Sequence, residues 1–280
     1  MAKLFKKRKD KKFKLRPLTK KPPITKFGKR VKDPFGNIIL LKRALTSLIG
    51  IVTYRRLNIV NKMNVEGMEH LRDLPKQNVL FISNHQTYFA DVFALNHIFS
   101  SDKWNLKNIN FPIYLIMPRV RSYYVAAEET MKNDGLLPRI FSYAGAVTVK
   151  RAWRSKGRDV KRSSDLRAPA KIKAALGHGW VINFPQGTTT PDAPVRKGTA
   201  SLIKAFNPIV VPVKIDGFNK AFDKKGLKFK ERGVELSVSF GKPMEFDKEA
   251  TRAEIHEYVE EHILGAVSYT HLTLPTTPYV

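Results

Sequence analysis

A chain of 280 residues, 42% hydrophobic and 27% charged, is globular in composition and long enough to bury a full core. It has no cysteine, which excludes disulfides, thiolate nucleophiles and sulfur-ligated metal sites and suits a reducing compartment. A formal charge of +27 calls for a polyanionic partner, either nucleic acid or an anionic membrane face.

Residues 1–35 form a basic tail. Lys3 to Asp33 holds about fifteen Lys/Arg against two Asp, with several prolines and few branched apolar residues, a composition that predicts disorder. It has no apolar run of the secretory kind. The tail reads either as a solvated appendage or as a segment drawn to anionic lipid, with nucleic acid a third reading.

Residues 36–75 make an N-terminal amphipathic helical region. Ile38, Leu41, Leu45, Leu48, Ile49 and Val52 recur at helical spacing, with Arg43, Thr46 and Thr53 on the other face. The uncharged run Ala44 to Tyr54 gives roughly 16 Å of helix against a bilayer core of about 30 Å, so it does not span. It suits a helix lying on an anionic leaflet, a helix packed on the protein's own core, or one dividing its length between the two.

From residue 76 to 265 strands and helices alternate, which predicts an α/β domain with a central mixed sheet flanked by helices. The expected strands are Val79–Ser83, Tyr123–Ala127, Ala146–Val149, Trp180–Phe184, Ile209–Ile215 and Glu235–Phe240. Helices are expected near Asp91–Phe99, Pro138–Ala144, Ala168–Leu176 and Thr199–Phe206. Asp102–Arg121 mixes apolar, aromatic and basic residues and reads as a loop touching lipid or as an extra piece of core. Ala152–Arg167 is mostly polar and reads as a surface loop. Thr251 and Glu254 have capping-box spacing ahead of a last helix that Gly265 ends. Residues 266–280 carry no charge, resemble translated adapter sequence, and are set aside as a non-native tail.

Asn84-His85 follows the first strand of this domain, and Asp91 opens the next helix. A histidine at a strand end can take a proton from a hydroxyl while a carboxylate fixes its tautomer. Three further blocks stand at strand ends: Gly145 to Arg151, which closes on Lys150-Arg151; Phe184 to Thr188, with Gln186 and Gly187; and Val210 to Val213, with Pro212. Ligands of open α/β sheets gather at such ends. The six other histidines make no metal pair, and no Gly-x-Ser-x-Gly, P-loop or dinucleotide fingerprint is present.

These four blocks, in this order across roughly Asn78 to Ile215, resemble the glycerophospholipid acyltransferase family, which includes lysophosphatidic acid acyltransferases. The resemblance implies that His85 deprotonates an acceptor hydroxyl, which attacks the thioester of acyl-CoA or acyl-carrier protein, with Asp91 orienting the imidazole. It implies that Asn84, Lys150, Arg151, Gln186, Gly187, Thr188 and Pro212 surround the substrates, Arg151 gripping the acceptor phosphate. No cofactor is implied beyond the acyl donor. The implied partners are an anionic membrane surface, a lysophospholipid, most simply 1-acylglycerol 3-phosphate, and an acyl thioester, with no nucleic acid. The implied location is peripheral, on the cytoplasmic face of the inner membrane. Two features depart from the family pattern: five residues rather than four separate His85 from Asp91, and Gln186 stands where glutamate is usual. A homologue that holds lipid without turning it over is the alternative they leave open; a basic nucleic-acid-binding protein is the second.

Overall fold

A computed structural model describes residues 32–264 apart from 120, 134–135, 151–153, 156–157, 160–164 and 166. Nearly all of the basic tail, residues 266–280 and Arg151 therefore lie outside the described residues.

Helix α1 (Ile39–Tyr54) runs into π-helical turns over Arg55–Val60, then strand β1 (Lys62–Glu66) and a short 3-10 turn at Met68–Leu71. Strand β2 (Val79–Ser83), helix α2 (Ala90–Lys103) and a 3-10 turn at Pro112–Leu115 follow. Next come β3 (Ser122–Ala127), α3 (Glu128–Asn133), α4 (Leu136–Tyr143) and β4 (Ala146–Val149). The two-residue strands β5 (Arg154–Ser155) and β6 (Arg158–Asp159) pair within the stretch read as a surface loop. The chain continues through α5 (Ala168–Leu176), β7 (Trp180–Asn183), α6 (Gly198–Phe206) and β8 (Ile209–Asp216). It closes with the single turn α7 (Phe218–Ala221), β9 (Glu235–Phe240) and α8 (Arg252–Leu264). The expected capping box forms at α8: Thr251 N–H donates to Glu254 Oε2 at 3.0 Å and Glu254 N–H to Thr251 Oγ1 at 3.2 Å.

Seven strands make one mixed sheet in the order β1-β9-β8-β2-β7-β3-β4. The run from β8 to β4 is parallel, while β9 turns back antiparallel to β8 and carries β1 parallel to itself. Strand β2 lies at the centre and is buried on both faces, which is why it reads as an unbroken apolar run rather than an alternating one. Its Val79 and Phe81 pack on one side with α2, whereas Leu80 and Ile82 pack on the other with α5, α6 and α8. Because the parallel strands point the same way, the ends of β2, β7, β3, β4 and β8 form a single edge.

Helix α2 is sandwiched between the sheet and α1, and residues 90 to 102 are all buried. Its polar groups are matched accordingly. His97 Nε2 meets Thr53 Oγ1 of α1 at 2.9 Å and its Nδ1 meets the Tyr114 hydroxyl at 3.2 Å, while burial pushes the imidazole down to about 3.

Helix α1 is mounted in an unusual sense. Its polar side, Lys42, Arg43, Thr46 and Thr53, turns toward the body of the protein. Leu40, Leu41, Leu48, Ile51 and Val52 on the opposite side are 61 to 74% exposed. The stretch read as loop or core is both: Ile109, Tyr114 and Leu115 are buried, with Leu115 packed against Gly50 of α1, while Phe111, Ile116 and Met117 are exposed beside the helix.

Candidate active site

Strand β2 ends at Ser83, and the backbone then makes a short irregular passage before α2 begins at Ala90. Asn84 anchors the start of that passage. Its Nδ2 donates to Ile215 O and its Oδ1 accepts from Ile215 N–H, each at 2.8 Å, so the side chain reads the neighbouring strand like a backbone amide. Gln86 anchors the middle by donating to Asp216 Oδ1 at 3.1 Å and accepting from Phe218 N–H at 2.8 Å.

Between those anchors His85 and Asp91 meet. The imidazole Nδ1 lies 3.0 Å from Asp91 Oδ2; the histidine is 13% exposed and the aspartate fully buried. Asp91 also accepts from Gln86 N–H at 2.7 Å, from Thr87 N–H at 3.1 Å and from the Thr87 hydroxyl at 2.7 Å. A carboxylate only accepts, so Nδ1 carries the proton and Nε2 is left as the basic nitrogen. Nε2 has no hydrogen-bond partner among the described residues. The ring stacks on Phe184, with centroids 3.8 Å apart and planes 18° apart, which fixes its tilt as Asp91 fixes its rotation.

The extra residue between His85 and Asp91 is absorbed before the helix starts. Added within a helix, it would swing the carboxylate by about 100° around the axis. Placed in the passage 86–89, it lets Thr87 fold over the helix end, where its hydroxyl also accepts from Asp91 N–H at 3.3 Å. A turn between α7 and β9 supports this passage from outside: Tyr88 N–H donates to Lys224 O at 3.0 Å and Phe89 N–H to Lys225 O at 3.2 Å.

The remaining sequence candidates are distributed around this pair. The Phe184–Thr188 block leaves the neighbouring strand β7, and Gly187 takes a left-handed φ of 66° while its N–H closes the turn onto Phe184 O. Of the two amides in that turn, a donor to substrate would be Thr188's. Gln186 is buried, donating to Ala193 O at 2.9 Å. Pro212 is buried within β8 opposite Ile82, at the gap between the Val210–Met244 bridge and the Val213–Phe240 pairing. Asn84, Gln186 and Pro212, read as substrate contacts, thus all make framework contacts.

Lys150 is exposed at the end of β4, three strands from β2, or about 14 Å along the same edge. Arg151 lies outside the described residues. Gln86, Thr87, the stacking role of Phe184 and the Lys224–Gly226 turn escaped the sequence reading. Thr87 had a signal, a hydroxyl residue just ahead of a helix with an acid in its first turn; the others depend on contacts far apart in the chain.

No serine, threonine or other protein hydroxyl is hydrogen-bonded to His85 among the described residues, and no cluster of three metal-ligating side chains occurs among them. A base oriented by an acid, on the ligand edge of a mixed α/β sheet, can take a proton from a hydroxyl that a substrate brings to it. The Acyltransferase family model matches residues 62–216, and the chain belongs to that family. Among solved structures, it is similar to the 1-acyl-sn-glycerophosphate (LPA) acyltransferase PlsC from Thermotoga maritima. That likeness has 20% identity and a TM-score of 0.47, covering 81% of this chain and 76% of that one. At that distance it says nothing about the substrate. No curated protein matches the sequence.

Proposed function

We propose that this acyltransferase moves a fatty acyl group from a thioester, acyl-CoA or acyl-carrier protein, onto the free hydroxyl of a lysophospholipid, with 1-acylglycerol 3-phosphate the leading acceptor. The observation that carries the reading is the 3.0 Å contact between His85 Nδ1 and a fully buried Asp91, which leaves Nε2 available as a base. The acceptor hydroxyl gives its proton to Nε2 as its oxygen bonds to the thioester carbonyl carbon. The resulting imidazolium, paired with Asp91, returns that proton to the sulfur as the carbon–sulfur bond breaks. Products are the ester and the free thiol, and the enzyme ends as it began. Lys150, just past the end of β4, and Arg151, next to it in sequence, are the groups proposed to hold the acceptor's phosphate.

The outward apolar side of α1 supports peripheral attachment to an anionic membrane, the cytoplasmic face of the inner membrane in this reading. Among the described residues no helix is long and apolar enough to cross a bilayer.

The test is acyl transfer from acyl-CoA or acyl-carrier protein to 1-acylglycerol 3-phosphate in mixed vesicles. Removing the base in His85→Ala is expected to lower kcat by about 10²–10⁴-fold, the usual share of general base catalysis. Wild-type protein that binds the lysophospholipid but transfers nothing, or His85→Ala with full turnover, sinks the proposal.

A further inference from the structure

The edge of the sheet opposite His85 carries a second concentration of charge. Ser122 begins β3 and His178 lies just before β7, whereas His85 follows the end of β2, so the two regions are about 15 Å apart along the strands. There a pocket between α1 and the strand starts is lined by Asp33, Lys42, Arg43, Arg121, Tyr123 and His178 among others. Lys42 and Arg43 of α1 thus share this pocket with the carboxylate of Asp33. That carboxylate is already committed to its own loop: Asp33 Oδ1 accepts from Phe35 N–H and Asn37 N–H, both at 2.9 Å, and Oδ2 from Asn37 Nδ2 at 3.1 Å.

Lys42 is half-buried in this pocket. Its Nζ donates to Ser122 O at 2.9 Å and sits 3.7 Å above the Tyr123 ring, contacts that soften its desolvation without supplying a counter-charge. Burial, aided by the neighbouring Arg121, pushes its amine down to about 7 against the pull of Asp33. Arg43 Nε is buried in the same region and has no hydrogen-bond partner among the described residues. A guanidinium turned toward the protein, with an idle donor beside an ammonium whose one acidic neighbour is already bonded to its own loop, costs stability unless something anionic joins it.

We infer that this pocket is a second anion site, and that it takes a phosphate group through Arg43 and Lys42. A guanidinium presents two donors to phosphate in fork geometry, while the ammonium adds a point charge. The inference does not rest on acyl transfer, because none of these groups touches His85 or Asp91. Two sources offer the same chemistry: free phosphate, and the phosphomonoester head of a lipid lying against the exposed Leu40 and Leu41 of the same helix.

The experiment uses the full chain at constant ionic strength, titrated by calorimetry with inorganic phosphate and, in parallel, with vesicles containing phosphatidic acid. A saturable phosphate site that depends on Arg43 is expected in the wild type. It should weaken at least tenfold in Arg43→Gln, persist in Arg43→Lys, and be unaffected in Lys224→Gln, a surface control far from the pocket. Circular dichroism and melting of each variant exclude misfolding as the cause. If Arg43→Gln also loses affinity for the vesicles, the source is the lipid head; if it loses phosphate alone, the source is the free ion. Phosphate binding that is equal in wild type and Arg43→Gln, or no saturable binding of either probe, overturns the inference.

Discussion

Thr87 settles whether a stretched His–Asp spacing still makes a working pair. It gives Asp91 both an N–H and a hydroxyl donor and takes back the Asp91 N–H, so it defines where the first turn of α2 begins and which way the carboxylate points. Hydrogen bonds to a charged group are worth about 1.5–3 kcal/mol, enough to hold a buried carboxylate in one rotamer. Thr87→Val keeps the shape and deletes the hydroxyl. The expected outcome is a fall in kcat of about tenfold or more with KM little changed, because the acid that orients His85 gains freedom while substrate contacts stay. Thr87→Ser should recover most of the loss. Equal kcat in wild type and Thr87→Val would show that the backbone donors of Gln86 and Thr87 suffice. By the same reasoning, Gln186 is expected to act through Ala193 and the turn it closes; the missing negative charge of glutamate matters less at a buried side chain bonded to a carbonyl.

At the scale of elements, the catalytic passage is held by a strap that neither sheet nor helix pattern announces. Phe222 and Phe229 bridge, and the tip between them brings Lys224 O, Lys225 O and Gly226 against residues 87–90. Gly226 takes a φ of +75°, and a Cβ there would lie 2.6 Å from Ala90 N, so only glycine allows this approach. From the other side, Arg56 donates to Leu227 O at 2.7 Å and lays its guanidinium 4.3 Å from the Phe229 centroid. The continuation of α1 is thereby tied to the strap, and the strap to the turn that carries His85. Arg56→Ala is expected to destabilise the fold by about 1–3 kcal/mol and to lower kcat several-fold more than the fraction unfolded accounts for. Melting curves and single-turnover rates measured on the same sample separate the two effects, and a rate that simply tracks folded fraction refutes the coupling.

The strap also shows where the sequence stops being legible. Central strand β2 falls where its apolar run places it, because burial on both sides of a sheet leaves a local mark; the edge strand β4 and helix α5 also lie within the expected bounds. Strand β1 leaves none: Lys62 to Glu66 has a single buried side chain, Met63, and finds its partner β9 some 170 residues away. The anchoring roles of Asn84 and Gln86 are invisible for the same reason, since their partners lie in β8 and just after it. The pairing of His85 with Asp91 was legible as chemistry, but the manner in which one extra residue is taken up was not. For α1, the helical period was plain, yet the same period fits either face inward.

The whole molecule resolves that ambiguity with an outer apolar surface that solvent alone does not favour. A surface helix ordinarily buries its apolar stripe and shows its polar one, whereas α1 does the reverse and is joined by exposed Phe111, Ile116 and Met117. Together with a charge of +27, much of it in the tail before Asp33, this separates two contributions to vesicle binding. In the proposed attachment the tail would act through charge, at about 1 kcal/mol per well-placed cation, and salt would screen it. The helix would act through apolar area, which salt does not screen.

Leu48 and Ile51 are 64% and 61% exposed, so replacing both leaves the core intact, and Leu48→Glu with Ile51→Glu should melt at nearly the wild-type temperature. Inserted in lipid, the two side chains contribute about 3 kcal/mol, which predicts partitioning at least a hundredfold weaker in the double variant at any ionic strength. Deleting residues up to Phe35 should instead weaken binding to anionic vesicles strongly at low salt and little at high salt. Sedimentation with vesicles across a salt series reads both slopes. If the double variant sediments like the wild type at high salt, α1 does not meet the bilayer through this face, and the exposed stripe needs another occupant.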